Sequence, residues 1–241
     1  RKELSACSFR LFIGEKPLLP QTIEDLSTEV TEDELNEAFI DEWGVKYSKD
    51  GRKLLKAPQG LKGNYSVKVG TRIICDDAFS KCSSLTSIVI SNSVVSIGDG
   101  AFKFSSLSNI VIPDSMTSIG SGAFWGCCSL SNVVVPDSVT SIGNGAFRSC
   151  SSLCNVVIPN SVNSRGNGTF YGCRSLSNIG IPSCVTNIAN FLFCGCRSLS
   201  DIVIPDSVTS IGIGAFSNCR FLSNIVIPDS VTNIRRGAFY K

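Results

Sequence analysis

Apolar residues recur along most of this chain with a period of about 23 residues. The clearest marker is a phenylalanine column at Phe79, Phe102, Phe124, Phe147, Phe170, Phe193, Phe216 and Phe239. A leucine column keeps the same spacing at Leu85, Leu107, Leu130, Leu153, Leu176, Leu199 and Leu222. A fixed period of this size predicts a solenoid, in which each repeat forms one coil and stacks on its neighbours.

Each copy begins with a short apolar run that predicts a strand. With the leucine as position 1, positions 4 and 6 are Ile or Val, position 5 is mostly Val, and proline follows at position 7 in six copies. β-Branched residues fit a pleated surface, and proline ends the strand because it has no N–H. Side chains alternate along a strand, so positions 4 and 6 should point into the core and positions 3 and 5 outward. Parallel strands of successive coils should then pair at a spacing of about 4.8 Å.

The rest of each copy predicts turns and further core positions. Ile at position 13 and Gly at position 14 indicate a second short extended stretch and a tight bend, and Ala-Phe at positions 17 and 18 should place a large ring inside. Position 9 should satisfy backbone groups in the corner through a row of side chains: Ser93, Ser115, Ser138, Ser161, Cys184, Ser207 and Ser230. Position 21 holds a cysteine column: Cys82, Cys127, Cys150, Cys173, Cys196 and Cys219.

The pattern L-x-x-I-x-I-P-x-S-V-T-x-I-G-x-G-A-F-x-x-C-x-S covers about residues 65–241 and resembles the leucine-rich repeat of the BspA-like kind. This resemblance implies a right-handed, curved solenoid with a parallel β-sheet on its concave face, built mostly of strands and loops. Members are mostly bacterial or protozoan surface proteins, some of them adhesive, and the family shares no active site. The resemblance therefore implies a cell-surface or extracellular location. A cytoplasmic location is the alternative, because the chain shows no signal peptide.

Charge is unevenly distributed and indicates two regions. Residues 1–81 carry 13 Lys and Arg and 14 Asp and Glu. Residues 82–241 are twice as long but carry only 9 Lys and Arg and 6 Asp and Glu. We expect residues 1–64 to form a charged N-terminal segment that covers the end of the solenoid, and residues 65–241 to form the solenoid itself. The formal net charge of +2 supports neither nucleic acid nor a membrane surface as a partner. No apolar run approaches the ~20 residues that a membrane span needs.

The N-terminal segment should be a small α/β cap. Thr31-Glu32-Asp33-Glu34 has the pattern of a capping box and predicts a helix through about Asp41, with Leu35, Ala38 and Phe39 facing the solenoid. Asp50-Gly51 predicts the turn of a β-hairpin between 45–47 and 52–55. Residues 1–30 give no assignment.

The composition argues against an enzyme. The chain has no histidine, which removes the commonest general base and the imidazole ligands of metal sites, and it has no phosphate-binding glycine motif. We therefore expect neither catalytic residues nor a cofactor nor a metal site. A row of aspartates at position 8 fits a solvated Pro-Asp turn, with a cation-binding row as the alternative: Asp114, Asp137, Asp206 and Asp229.

Twelve cysteines leave two readings, a disulfide framework or free thiols. Stacked coils would bring column neighbours within the ~4.4–6.8 Å Cα range of a disulfide, but their side chains would be parallel. Free thiols that pack as small hydrophobes are therefore favoured. Outside the column, Cys128 and Cys154 should be the most exposed.

The candidate binding surface is the outward face of the predicted first strands. Its central members are Asn109, Val111, Asn132, Val134, Asn155, Val157, Asn178, Gly180, Asp201 and Val203. An asparagine row beside an exposed valine row provides amide hydrogen bonds and apolar area of the kind that binds protein. Inheritance of the repeat together with β-propensity explains the same pattern without a ligand.

Two further features have both a functional and a structural interpretation. Arg174, Arg197 and Arg220 share position 22 in consecutive coils and would be either solvated or bridged by an anion. The copy at 153–175 and the next one depart from the pattern, with Arg165 in the Ile column and Phe191 in a Gly column, through either function or sequence drift.

Together these features predict a non-enzymatic binding or adhesion module that recognises a protein or a glycan through an extended surface. A structural spacer or a self-associating repeat protein is the alternative.

Overall fold

The computed structural model describes residues 26–162 and 164–241, together with an antiparallel pair of short strands, Phe12–Ile13 and Lys16–Pro17. The repeats form a β-solenoid of about eight turns with parallel sheets and almost no helix, as the sequence predicts. No helix among the described residues is long and apolar enough to cross a membrane.

The first strand of each coil builds one side of the solenoid. Six strands pair in parallel and in chain order: Lys62–Ser66, Ser84–Val89, Asn109–Ile110, Asn132–Val134, Asn155–Val157 and Asn178–Ile179. Isolated bridges from Asn178 to Asp201 and from Asp201 to Asn224 keep the last coils in the same register. We call this the first sheet.

The Ile-Gly stretch builds a second side. Eight strands form its longer sheet: Phe39–Ile40, Lys46–Tyr47, Lys53–Lys56, Ile73–Ile74, Ser96–Ile97, Ser118–Ile119, Ser141–Ile142 and Ser164–Arg165. A separate three-stranded sheet continues toward the C-terminus with Asn187–Ile188, Ser210–Ile211 and Asn233–Ile234. Positions 17–23 return the chain to the first sheet and form the remaining side, which we call the third side.

The phenylalanine column stacks through the centre of the solenoid, as predicted. From Phe79 to Phe216 the side chains are at most 2% exposed, and consecutive rings, including the half-buried Phe239, lie 5.1–5.9 Å apart between centroids. The planes of consecutive rings are inclined to each other by 3–7°, except between Phe193 and Phe216, where the angle is 22°. Offset stacking of this kind adds to the hydrophobic burial of each ring.

The break in the second side coincides with a departure from the glycine column. At Gly120, Gly143 and Gly166 in position 14, a Cβ would lie 2.2–2.5 Å from the backbone of the preceding coil, so glycine lets these backbones approach. Ala189 occupies that position in the first coil after the break and carries a Cβ. The Phe170–Phe193 separation across the break, 5.9 Å, is the largest in the phenylalanine column.

Two positions of the coil, 16 and 20, have left-handed backbone. Glycine fills most of them, and the exceptions are Asp77, Lys81, Phe104, Ser149, Phe191 and Asn218. Two of these are bulky aromatic residues, Phe104 (φ 58°) and Phe191 (φ 56°). A bulky residue with positive φ is strained by roughly 1–2 kcal/mol. Each ring covers a glycine of the following coil, Gly126 and Gly214 respectively, where a Cβ would lie within 2.7 Å of the ring.

The position 9 row satisfies corner carbonyls in most coils, as predicted. Oγ of Ser93, Ser115, Ser161 and Ser207 donates to a backbone carbonyl of the preceding coil at 2.6–2.8 Å. The Cys184 thiol donates in the same way at 3.0 Å. Ser138 and Ser230 are exceptions, since their buried hydroxyls have no hydrogen-bond partner.

The cysteine column is buried and free of disulfides, as predicted. Cys82 donates to Pro58 O at 3.6 Å, and from Cys127 to Cys219 the other five thiols each donate to the carbonyl of a column phenylalanine in the preceding coil, at 3.0–3.1 Å. Ser105 replaces cysteine in one coil and its hydroxyl lies 3.3 Å from Cys127 Sγ. Cys128 is exposed and Cys154 half-buried, while Cys184 is also exposed. Cys7 lies outside the described residues.

The N-terminal cap contains the predicted capping box and hairpin. Thr31 Oγ1 accepts from Glu34 N at 3.2 Å, while the Glu34 carboxylate accepts from Thr31 N at 2.9 Å. The helix was predicted too long: it spans Glu32–Asn36, because residues 39–40 leave it to pair with the hairpin. Ala38 packs on the buried cluster of Leu55, Ile73 and Cys75 as expected. The prediction that Leu35 and Phe39 also face the solenoid is wrong, since both are exposed and the Phe39 ring stacks on Tyr47 of the hairpin.

Polar contacts join the cap to the first coil. Lys53 Nζ pairs with the Glu34 carboxylate at 2.9 Å, with both side chains largely buried. The Tyr65 hydroxyl donates to Asp41 Oδ2 at 2.7 Å and lies 2.5 Å from the Tyr47 hydroxyl. Because strand Lys53–Lys56 also pairs in parallel with Ile73–Ile74, the hairpin is continuous with the second side. The cap is thereby fixed to the solenoid.

Candidate functional site

The predicted binding residues all lie on the outer face of the first sheet. We call this surface, positions 3 and 5 of the coils, the strip. The valines at its position 5 are strongly exposed, from 57% for Val157 and 63% for Val134 to 78% for Val111 and 81% for Val203. The predicted asparagines, Asp201 and Gly180 are exposed as well. The intervening position 4 is buried, so the predicted inside-outside alternation is confirmed.

Sheet register aligns the strip from coil to coil. Asn132 pairs with Asn155 and Asn155 with Asn178, while Val134 pairs with Val157. Asn155 Nδ2 donates to Asn132 Oδ1 at 3.1 Å, so these two amides also bond to each other along the solenoid. The asparagine side chains of the strip are exposed.

Gly180 interrupts the valine row in the middle of the strip. A Cβ built there meets no atom within 4 Å, so the missing side chain leaves open space. Strand pairing stops at Ile179, whereas the neighbouring strand continues to Val157. Glycine weakens a strand because it has no side chain to pack. A recess beside Asn178 that receives a partner's side chain stays a prediction.

The strip has the chemistry of a macromolecular interface. Its valines contribute apolar area that folding has not buried, and its amides provide directional hydrogen bonds. Small-molecule sites are usually concave and enclose most of their ligand. A surface repeated over several coils is instead suited to an extended partner.

The third side carries a row of aromatic and cationic residues that sequence reasoning missed. Lys103 Nζ lies 4.4 Å from the centre of the Trp125 ring. Arg148 Cζ lies 5.1 Å from the centre of the same ring and 4.4 Å from the centre of the Tyr171 ring. Phe104 adds a tilted ring 5.6 Å from Trp125. Lys103, Trp125, Arg148 and Tyr171 all occupy position 19. Aligning the repeats and comparing their residues at position 19 would have revealed the row.

This row borders an open groove of about 440 Å³. One wall is a polar ladder at position 15, in which the side-chain oxygens of Asp76, Asp99 and Asn144 accept from a backbone N–H of the next coil. The bonds run from Asp99 N to Asp76 Oδ1 (2.7 Å), from Ser121 N to Asp99 Oδ1 (2.6 Å) and from Asn167 N to Asn144 Oδ1 (2.7 Å). The ladder links neighbouring coils, and its members Asp76, Asp99 and Asn144 line the groove.

The arrangement of the thiols does not favour nucleophilic chemistry. Burial raises the pKa of Cys82 and Cys127 to about 11 and that of Cys150, Cys173 and Cys196 well above the usual value. A nucleophilic cysteine needs the thiolate, which these surroundings disfavour. Within residues 26–162 and 164–241, no three His, Cys, Asp or Glu side chains group as metal ligands would.

Comparison with protein families matches a model of the BspA type leucine rich repeat region. It aligns in 6 copies to residues 64–137 and 117–241. The match therefore covers the whole predicted solenoid. None of the curated protein sequences is significantly similar to the chain.

Solved structures of bacterial leucine-rich repeat proteins resemble the chain. A leucine-rich repeat protein from Bacteroides ovatus is 32% identical, with a TM-score of 0.70, and the alignment covers 82% of this chain and 51% of that protein. A leucine rich cell surface protein from Faecalibacterium prausnitzii is 32% identical (TM-score 0.52), covering 74% of this chain and 57% of that one. The T. pallidum leucine rich repeat protein is 29% identical (TM-score 0.65), and the alignment covers 78% of this chain and 87% of that protein. The chain thus spans little more than half of the first and second of these relatives.

Proposed function

Because the chain belongs to the BspA type leucine-rich repeat family, we propose that it is a non-enzymatic binding or adhesion module that recognises a protein or a glycan through the strip. The observation that carries the proposal is the alignment of exposed valines and asparagines over consecutive coils. Exposed apolar patches on folded proteins commonly mark interaction sites.

A cell-surface location is part of the proposal. It is supported by the F. prausnitzii relative, which is described as a cell surface protein. The division into a cap at 1–64 and a solenoid at 65–241 also belongs to it. The cap would cover the N-terminal end of the core and leave the sheets to bind.

The test compares two pairs of substitutions that add the same charge. Val134→Glu with Val157→Glu alters the strip, whereas Thr117→Glu with Thr140→Glu alters exposed position 11 on the corner beside the second side. Each protein is applied to immobilised extracellular-matrix proteins and to a glycan array. We expect the strip variant to lose binding by at least about tenfold, because two carboxylates would be desolvated in the interface, and the control to retain it.

Unfolding measurements must accompany the binding assay. The strip variant should remain within about 0.5 kcal/mol of the parent in free energy of unfolding, as for other surface substitutions. The control variant also loses the hydrogen bonds from Thr117 Oγ1 to Val95 O (3.0 Å) and from Thr140 Oγ1 to Thr117 O (3.4 Å), so its stability should fall by up to about 1 kcal/mol per bond. If the strip variant binds as well as the parent, the site lies elsewhere.

Self-association is the second candidate, and the exposed valine row favours it. Val111, Val203 and Val226 are 78–82% exposed, and the same row of a second copy of the chain would cover them. Arg235 and Arg236 are exposed, and their role as a polar end of the solenoid stays a prediction. Analytical ultracentrifugation over a concentration series would detect the association.

A further inference from the structure

We propose that the third side is a second binding surface, separate from the strip, whose ligand is an extended anionic polysaccharide. The proposal rests on a row of cations, one in each of six out of seven coils, on the absence of acidic residues from this side, and on aromatic side chains where the row of cations is interrupted.

The cations lie on the third side of six out of seven successive coils. They occupy position 19, 20 or 22, and we call this row the file: Lys81, Lys103, Arg148, Arg174, Arg197 and Arg220. Five are exposed and Lys103 is half-buried. From Lys81 to Arg220 the file crosses six coil steps, or about 29 Å at the parallel-strand spacing.

No acidic residue interrupts this side. From position 17 of each coil to position 2 of the next, seven successive segments contain no Asp or Glu: 78–86, 101–108, 123–131, 146–154, 169–177, 192–200 and 215–223. The acidic row at position 8, such as Asp137 and Asp206, lies on the corner between the two sheets, across the coil. Asp76, Asp77 and Asp99 border the file at its N-terminal end only, where they line the groove.

The positive charges are not neutralised by the protein. In the part of the chain that the structure describes, none of the six has a carboxylate oxygen within 4.0 Å. Like charges on neighbouring coils repel one another, so a linear polyanion that lies along the file would relieve the repulsion and release counterions.

Polysaccharide fits this surface better than an acidic peptide. Side chains on one face of an extended peptide recur about every 6.8 Å, which does not match coils about 4.8 Å apart. The one coil without a cation in the file presents Trp125, a half-buried ring that lies between Lys103 and Arg148 and beside the exposed ring of Phe104, while Tyr171 lies against Arg148 one coil further on. Aromatic side chains offer apolar area to the CH groups of sugar rings. Serines such as Ser152 and Ser198 offer hydroxyls to sulfate or carboxylate oxygens.

The test uses two double variants that remove the same charge. Arg174→Gln with Arg197→Gln shortens the file, whereas Arg235→Gln with Arg236→Gln removes two exposed arginines that lie off the third side. Binding to heparin is measured at several salt concentrations, with polygalacturonate, neutral dextran and poly-glutamate in parallel. Heparin and polygalacturonate distinguish sulfate from carboxylate as the recognised group.

We expect the parent to bind heparin or polygalacturonate and not dextran. Removing Arg174 and Arg197 should weaken binding at least about tenfold and reduce the slope of log K against log salt by roughly two, or one for each charge. The charge-conserving Arg174→Lys with Arg197→Lys should retain the slope, and so should the Arg235 and Arg236 control. An equal loss in both Gln variants, equally tight binding of poly-glutamate, or no binding of either anionic polysaccharide would overturn the proposal.

Discussion

Replacing Phe147 by alanine tests the role of the phenylalanine column in stability. Phe147 is fully buried and lies between two rings, 5.2 Å from Phe124 and 5.7 Å from Phe170. Its removal takes away the apolar area of one aromatic ring and two stacking contacts. It also leaves a cavity that the neighbouring coils cannot close without breaking their own hydrogen bonds.

The expected loss follows from these contacts. Phe→Ala in a core costs about 3–5 kcal/mol, and an aromatic pair adds about 0.5–1.5 kcal/mol beyond area burial. With two pairs broken, we expect the upper part of that range, about 4–5 kcal/mol. Domains are stable by only about 5–15 kcal/mol, so the variant would be close to unfolded.

Phe239 provides a matched control in the same column. It is half-buried and stacks on one ring only, Phe216 at 5.3 Å. Phe239→Ala should therefore cost about half as much. Equilibrium unfolding in urea, followed by circular dichroism, measures both variants against the parent. A reduced slope with denaturant in Phe147→Ala would show that coils on either side of the cavity unfold separately.

Two outcomes would refute this reasoning. One is a Phe147→Ala loss no larger than that of Phe239→Ala. The other is an unchanged melting temperature for Phe147→Ala. Either result would mean that the strands and their ladders, rather than the ring column, stabilise the solenoid.

Three further predictions concern the thiols and the turns. Burial raises the pKa of Cys127 to about 11 from 9.0, so stability should fall as pH rises from about 9 to about 11; Cys127→Ala should remove about 1.4 kcal/mol per pH unit of that fall in pH-dependent unfolding. Exposed Cys128 and Cys184 should react with a thiol reagent in the native protein and the column only after unfolding without reductant; missing thiols would indicate disulfides. Ser149 has φ 58°, so Ser149→Gly should raise stability by up to about 1 kcal/mol, whereas exposed Ser152→Gly, at ordinary φ, should not.

The periodic pattern determined which side chains face inward. Whether a side chain is buried depends on its position within the repeat, and the sequence of a single repeat shows that position. Leu130, Val133 and Phe147 are buried examples. The family, the parallel pairing and the outward direction of Asn132 and Val134 follow from the same periodicity. The capping box and the Asp50-Gly51 turn are local as well, because their hydrogen bonds join residues a few positions apart.

Contacts between coils required the tertiary structure. The break beside Ala189 lies in the pairing of two neighbouring coils, which depends on how closely their backbones approach. The early end of the helix at Asn36 reflects strand pairing of the next residues, which overrides helix propensity. The row of Lys103, Trp125 and Arg148 arises because residues 22 or 23 apart in sequence come within about 5 Å when the coils stack. Sequence periodicity thus specifies the single coil, whereas surfaces that span several coils depend on the spacing and register with which the coils pack.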